Sequence, residues 1–248
     1  MPLADVSLGQ QFLNSFTFMG NNTSHLLHDT LGTLALSGAA LAVALAVTLP
    51  IAVWLGHLHR GSSAAIRTAN LGRSLPELAL IAIFLGLLGI GFLNVMLALV
   101  IIGIPPILAN AYTAVDGVDP DVVDAARGMG MTGLAVLLKV EIPLALPLMF
   151  AGIRTSVLFI VGASPLAAIA GGGGLGEIIV NQASYGFSGV LAASIWVAAL
   201  ALIIQGLFAL LQRLITPAGL KVRGGKPGGI DVGVADAERV AGMEASIA

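Results

Sequence analysis

Residues 118–147 read VDPDVVDAARGMGMTGLAVLLKVEIPLALP, and the local chemistry of this stretch organises the rest of the chain around it. Asp119 followed by Pro120 is a helix start, with an acceptor side chain at the cap and a ring already set for the first turn. The pattern predicts a short helix over 120–129 that shows Val122, Val123, Ala126 and Met129 along one side. Gly130 permits a break, possible at positive φ. Thr132 can cap a second short helix through Val140, and Pro143 fits the start of a longer one. Ala125 and Ala126 are small enough for a partner's backbone to come close. Apolar side chains at this density outside a membrane span mark an interaction site rather than a solvated loop.

On both sides of this loop the chain is too apolar for a water-soluble globule. Of 248 residues, 57% are hydrophobic and only 10% charged, and the mean hydropathy is +1.00. Such a chain belongs in a bilayer. A helix needs about 20 mostly apolar residues to cross the hydrocarbon. On that measure the sequence predicts an all-α integral membrane protein with five spans. The first lies in residues 30–56 and the second begins near Ala69, taking in Arg73 and Glu77. A tight turn at Gly89-Ile90-Gly91 leads to the third, where Pro105 and Pro106 predict a bend. The fourth covers 143–169 with Arg154 inside it, and the fifth begins near Ser188. Residues 1–29 form an N-terminal segment with no basic start and no long apolar core, so no cleavable signal is expected there. Residues 30–215 form the membrane domain. Residues 216–248, rich in glycine, alanine and valine with scattered charges, read as a flexible tail.

Lys and Arg accumulate on the cytoplasmic side of membrane proteins. With the N-terminus outside and the C-terminus cytoplasmic, the inner segments and inner span ends hold Arg60, Arg67, Arg73, Arg127, Lys139, Arg213, Lys221, Arg223, Lys226 and Arg239. Of the 11 Lys and Arg only Arg154 remains, and it lies within a span. The loop 118–147 is then cytoplasmic, and the tract AGGGGLGEII at 170–179 is at the outer face. Gly171, Gly173 and Gly176 satisfy the spacing G-x-G-x-x-G, but a dinucleotide site also needs a preceding strand and an acid about 20 residues on. Membrane span precedes the tract, and no acid occurs between 178 and 212. Gly171, Gly172, Gly173, Gly174 and Gly176 instead read as an outer-mouth turn from the fourth span into a short helix over 175–183, with glycine supplying backbone freedom.

In the loop, Asp124, Ala125, Ala126 and Gly130, followed by Val140, Ile142 and Pro143, resemble the signature E-A-A, three residues, G, nine residues, I-x-L-P of the permease subunits of type I ABC importers. The spacing is the same; aspartate replaces glutamate, valine isoleucine, and isoleucine leucine. Within that superfamily PPILANAY, VDPDVVDAARGMGM, EIPLALPLMFAGIRTS and GGGGLGEII resemble the osmoprotectant importers for glycine betaine, choline, carnitine or proline betaine. Methionine importer permeases share the layout. The resemblance implies the type I importer permease fold in a prokaryotic inner membrane, surrounded by lipid. It also implies two cytoplasmic ATPase subunits contacted by the seven loop residues, a second permease, identical or homologous, and an extracytoplasmic solute-binding protein. The chain itself has no G-x-x-x-x-G-K-[ST] phosphate loop and is not expected to be an enzyme or to hold a cofactor.

Glu77 and Arg154 are ionisable groups in spans, where such groups are functional candidates. They can pair across the bundle or gate its inner mouth; alternatively Arg154 snorkels to headgroups and Glu77 faces water. His25, His28, His57 and His59 flank the first span, and neither pair has a third ligand nearby, so no metal site is expected. Trp54, Tyr112 and Trp196 read as packing or interface anchors. A net charge of -2 gives no sign of nucleic-acid binding, and with no cysteine there is no disulfide. A passive channel would suit the hydrophobicity and the glycines. It would not need a loop shaped for an ATPase.

Overall fold

The computed structural model describes residues 7–61, 63, 67–68 and 76–215. The proposed tail 216–248, Arg73 and the expected start of the second span at Ala69 lie outside those residues. Among the described residues every regular element is helical. In chain order they are α1 (Leu8–Asn21), α2 (Thr23–His57), α3 (Glu77–Leu88), α4 (Phe92–Asp116), α5 (Pro120–Gly128) and α6 (Gly133–Val136). A wide π turn (Leu137–Glu141), α7 (Ile142–Ala163) and a 3-10 stretch (Ser164–Ala170) follow, then α8 (Gly176–Val180) and α9 (Gln182–Ile215). Four helical stretches, Thr23–His57, Phe92–Asp116, Gly133–Ala170 and Gln182–Ile215, are long and apolar enough to cross a membrane. The described part of the expected second span is α3, 12 residues, or about 18 Å of helix.

The core is α4 packed between α2 and α7. Along α2, Ala40, Ala44, Thr48, Ala52 and Gly56 are buried at every fourth position. That spacing puts small residues on one face and lets helix backbones approach, the contact that drives helix association in lipid. At Gly56 a Cβ would sit 2.9 Å from Val115 Cβ and 3.0 Å from the Tyr112 carbonyl. The α4–α7 seam is as close. A Cβ on Gly103 would meet Ile160 Cδ1 at 2.8 Å, and Ser156 Oγ donates to the Gly103 carbonyl at 2.8 Å. Helix α4 runs unbroken through Pro105 and Pro106.

Three elements differ from the sequence-based expectation. First, α1 is a helix without charged residues. It leaves Leu8, Phe12, Leu13 and Phe16 exposed and packs on α2 and α9. Second, no break separates the second loop helix from the fourth span. Gly133 to Ala163 is one continuous helical path through the π turn, and Pro143, which has no N–H to donate, follows directly on that widened turn. Third, α9 begins at Gln182 and its backbone departs from helix at Gly186, φ 66°. Its regular run therefore starts after that residue, close to the expected Ser188.

Candidate functional site

The loop between α4 and α7 folds on a small core of its own. Asp119 Oδ1 accepts from the Asp121 N–H at 3.0 Å, Pro120 opens α5, and Thr132 Oγ1 accepts from the Ala135 N–H at 3.4 Å. Gly130 turns at φ +84° with nothing within 4 Å of an added Cβ. Val118, Val123, Ala126 and Val136 are buried together, with Met131 and Val140 packed against them. This divides the predicted stripe. Val123 and Ala126, the latter 2% exposed, face inward, while Val122 and Met129, the latter 77% exposed, face out. Ala126 therefore packs against the loop's own core, because Val123 and Ala126 at i and i+3 share the face that meets Val136.

The outward face carries Val122, Ala125 and Met129, spaced three and four apart on one line of the helix. Asp124 is exposed, with Arg127 Nη1 3.9 Å from its Oδ1. Leu134 and Leu138 add exposed apolar surface on the following segment. Ile142 is partly buried against the cluster of Ala111, Tyr112 and Met149, and Pro143 is partly buried beside it.

Histidines supply the contacts that the sequence analysis missed. His57, the last residue of α2, donates from Nδ1 to Glu141 Oε2 at 2.7 Å, with side chains 11% and 2% exposed. His59 donates from Nδ1 to Asp116 Oδ1 at 2.8 Å. The signal was present: Glu141 is a carboxylate inside an apolar run, and the rule that drew notice to Glu77 and Arg154 applies equally to it.

At the opposite end of α2 the glycine tract is tightly packed, not loose. Gly171, Gly173 and Gly174 have φ of +74°, +71° and +80°, a region that strains any residue with a Cβ. A Cβ on Gly172 would lie 2.8 Å from Ala167 Cβ, one on Gly174 would meet the Thr33 N at 3.1 Å, and one on Gly176 would collide with the Pro165 carbonyl. The Leu175 N–H donates to Thr33 Oγ1 at 3.0 Å. The Gly91 N–H donates to the Ala170 carbonyl at 3.0 Å, fixing the turn between α3 and α4 against the tract. Nearby, Trp196 Nε1 donates to Thr30 Oγ1 at 2.9 Å, and Tyr185 stacks on His25 with ring centroids 5.8 Å apart.

Glu77 and Arg154 are not brought together. Glu77 sits in the first turn of α3, where a carboxylate complements the helix dipole, and α3 packs mainly on α4. Arg154 lines a cavity of about 310 Å³ between α7 and α9 with Thr155, Gln205 and Gln212. Among the described residues no group of three His, Cys, Asp or Glu could hold a metal ion.

Comparison with known proteins agrees with this architecture. Residues 48–217 match the family described as "Binding-protein-dependent transport system inner membrane component". The glycine betaine/carnitine/choline transport system permease protein of Bacillus subtilis (strain 168) is 37% identical over 206 residues, 83% of this chain and 95% of its own. The osmoprotectant import permease protein of Salmonella typhimurium is 32% identical over 219 residues, 84% of this chain and 100% of its own. An inward-facing structure of the MetNI methionine ABC transporter superposes with a TM-score of 0.66 at 23% identity, covering 77% of this chain and 96% of that one. With its apolar helices, its type I importer permease fold and a family match over most of its length, the chain belongs to the inner membrane components of binding-protein-dependent transport systems.

Proposed function

We propose that the chain is the pore-forming subunit of an ATP-driven importer for compatible solutes of the glycine betaine, choline and carnitine class. The observation that carries this is the likeness to permeases of those systems over more than four-fifths of the chain. The chain crosses the membrane five times with its N-terminus outside, and the loop 118–147 faces the cytoplasm. Two ATPase subunits hydrolyse ATP there, each seating the outward face of one loop, built of Val122, Ala125 and Met129. A second permease, identical or homologous, completes the pore. A solute-binding protein delivers its cargo at the end that carries the glycine tract.

Because Ala126 is an internal residue of the loop, the informative substitution is Ala125→Arg. It places a long charged side chain on the exposed line of α5 and leaves the loop core intact. Purified with its ATPase and reconstituted in liposomes with loaded binding protein, this variant is expected to reach the membrane normally and to lose ATPase association or solute-stimulated hydrolysis. Normal association together with normal stimulation would overturn the assignment of this face.

A further inference from the structure

Both stems of the loop are held by one tripeptide. The loop leaves α4 at Asp116, four residues before Pro120, and rejoins the bundle at Glu141, one residue before α7. His59 binds the first stem at 2.8 Å and His57 the second at 2.7 Å. The two histidines flank Leu58 at the very end of α2, so a single turn reaches two places far apart in sequence.

The backbone of that turn is unusual in a way that favours a role for the side chain. The His59 N–H donates to the Gly56 carbonyl at 2.9 Å and the Arg60 N–H to the Leu55 carbonyl at 3.1 Å. This paired pattern ends a helix with one left-handed residue, for which glycine is the usual choice. Here that residue is His59, at φ 49°, the sole non-glycine with positive φ among the described residues. On the other stem, Glu141 is directed at His57 by the π turn Leu137–Glu141, a local widening found often at functional sites. A left-handed histidine and a π turn are each unfavourable by themselves. Both serve to aim one of these hydrogen bonds.

We propose that His57 and His59 are positioning residues that clamp the two stems of the coupling loop to the end of α2, so that force applied by the ATPase moves α2 together with α4 and α7. The proposal rests on the reading of the loop as the ATPase contact. Without the clamp the loop still binds the ATPase, but its displacement is absorbed at the stems, and ATP is hydrolysed with less solute carried.

The test is the amount of solute taken up per ATP hydrolysed by the complete importer in liposomes. His57→Ala with His59→Ala is expected to co-purify with the ATPase while this ratio falls about fivefold or more, the scale at which coupling between sites is clearly measurable. His59→Asn keeps a donor in the Nδ1 position on a residue that tolerates left-handed backbone, and is expected to retain most of the ratio that His59→Ala loses. A general packing defect would lower the amount of importer and leave the ratio unchanged. An unchanged ratio in the double variant, with Ala125→Arg defective, would remove the clamp and leave the coupling face standing. A normal Ala125→Arg importer would remove the coupling face itself. If the double variant does not reach the membrane, equal ratios in His59→Ala and His59→Asn overturn the proposal.

Discussion

At one end of α2 the chain turns through five glycines whose missing side chains let backbone meet backbone, and at the other it is tied by two histidines to two carboxylates. Near Thr33 the turn is tightly constrained: three glycines are left-handed, and a Cβ on Gly172, Gly174 or Gly176 would crowd neighbouring atoms. Near His57 the geometry depends on side-chain hydrogen bonds 2.7 and 2.8 Å long. Each can be removed without any atom having to move aside. The first end is fixed chiefly by close packing that crowds an added Cβ at Gly171, Gly172, Gly174 and Gly176; the second is fixed by attraction and can be weakened in steps.

The contrast is sharpest at Gly176. Its Cβ would collide with the Pro165 carbonyl, a backbone atom that cannot rotate away, so Gly176→Ala is expected to destabilise the bundle by about 3 kcal/mol through overpacking. Thermal unfolding in detergent and the amount of protein in the membrane would show it; a wild-type midpoint would break the comparison. Gly130, at the loop end, separates conformation from crowding. It is left-handed but open, with nothing within 4 Å of an added Cβ. Gly130→Ala is accordingly expected to lose about 1 kcal/mol, from backbone strain alone, read as a smaller downward shift of the same midpoint.

The smallest effect is expected between the two intramembrane charges. Since Glu77 and Arg154 sit on separate seams, the stability losses of Glu77→Gln and Arg154→Gln should add to within about 0.5 kcal/mol in the double variant. Recovery in the double variant would mean that the two side chains meet.

What could be read from the sequence was local. The caps at Asp119 and Thr132 and the positive φ at Gly130 depend on residues within four positions of one another, and a linear pattern records such contacts; in the glycine tract the sequence recorded the turn but not Thr33 or Gly91, which hold it. The clamp joins residues 84 and 57 positions apart, and no periodicity connects them. Ala126 was misplaced for a related reason. Two stripes of α5 are both apolar, and the residues that meet it from outside the helix, Val118 before it and Met131, Val136 and Val140 after the break at Gly130, decide which one is inside. Helix α1 escaped notice because it carries no charge to set off an amphipathic face.

The π turn has a consequence for how the gene can change. Insertions in surface connections are normally tolerated, but Leu137–Glu141 is not a connection. It is a helix holding one residue more than an α-helical turn would need. That surplus sets the phase between the loop and the membrane helix, so that Val136 meets the loop core while Leu137, Glu141, Ala145 and Met149 all turn inward. Deleting one residue here would rotate everything on one side by about 100° relative to the other, turning Glu141 away from His57. In this short stretch the number of residues is inherited information in its own right, apart from what those residues are.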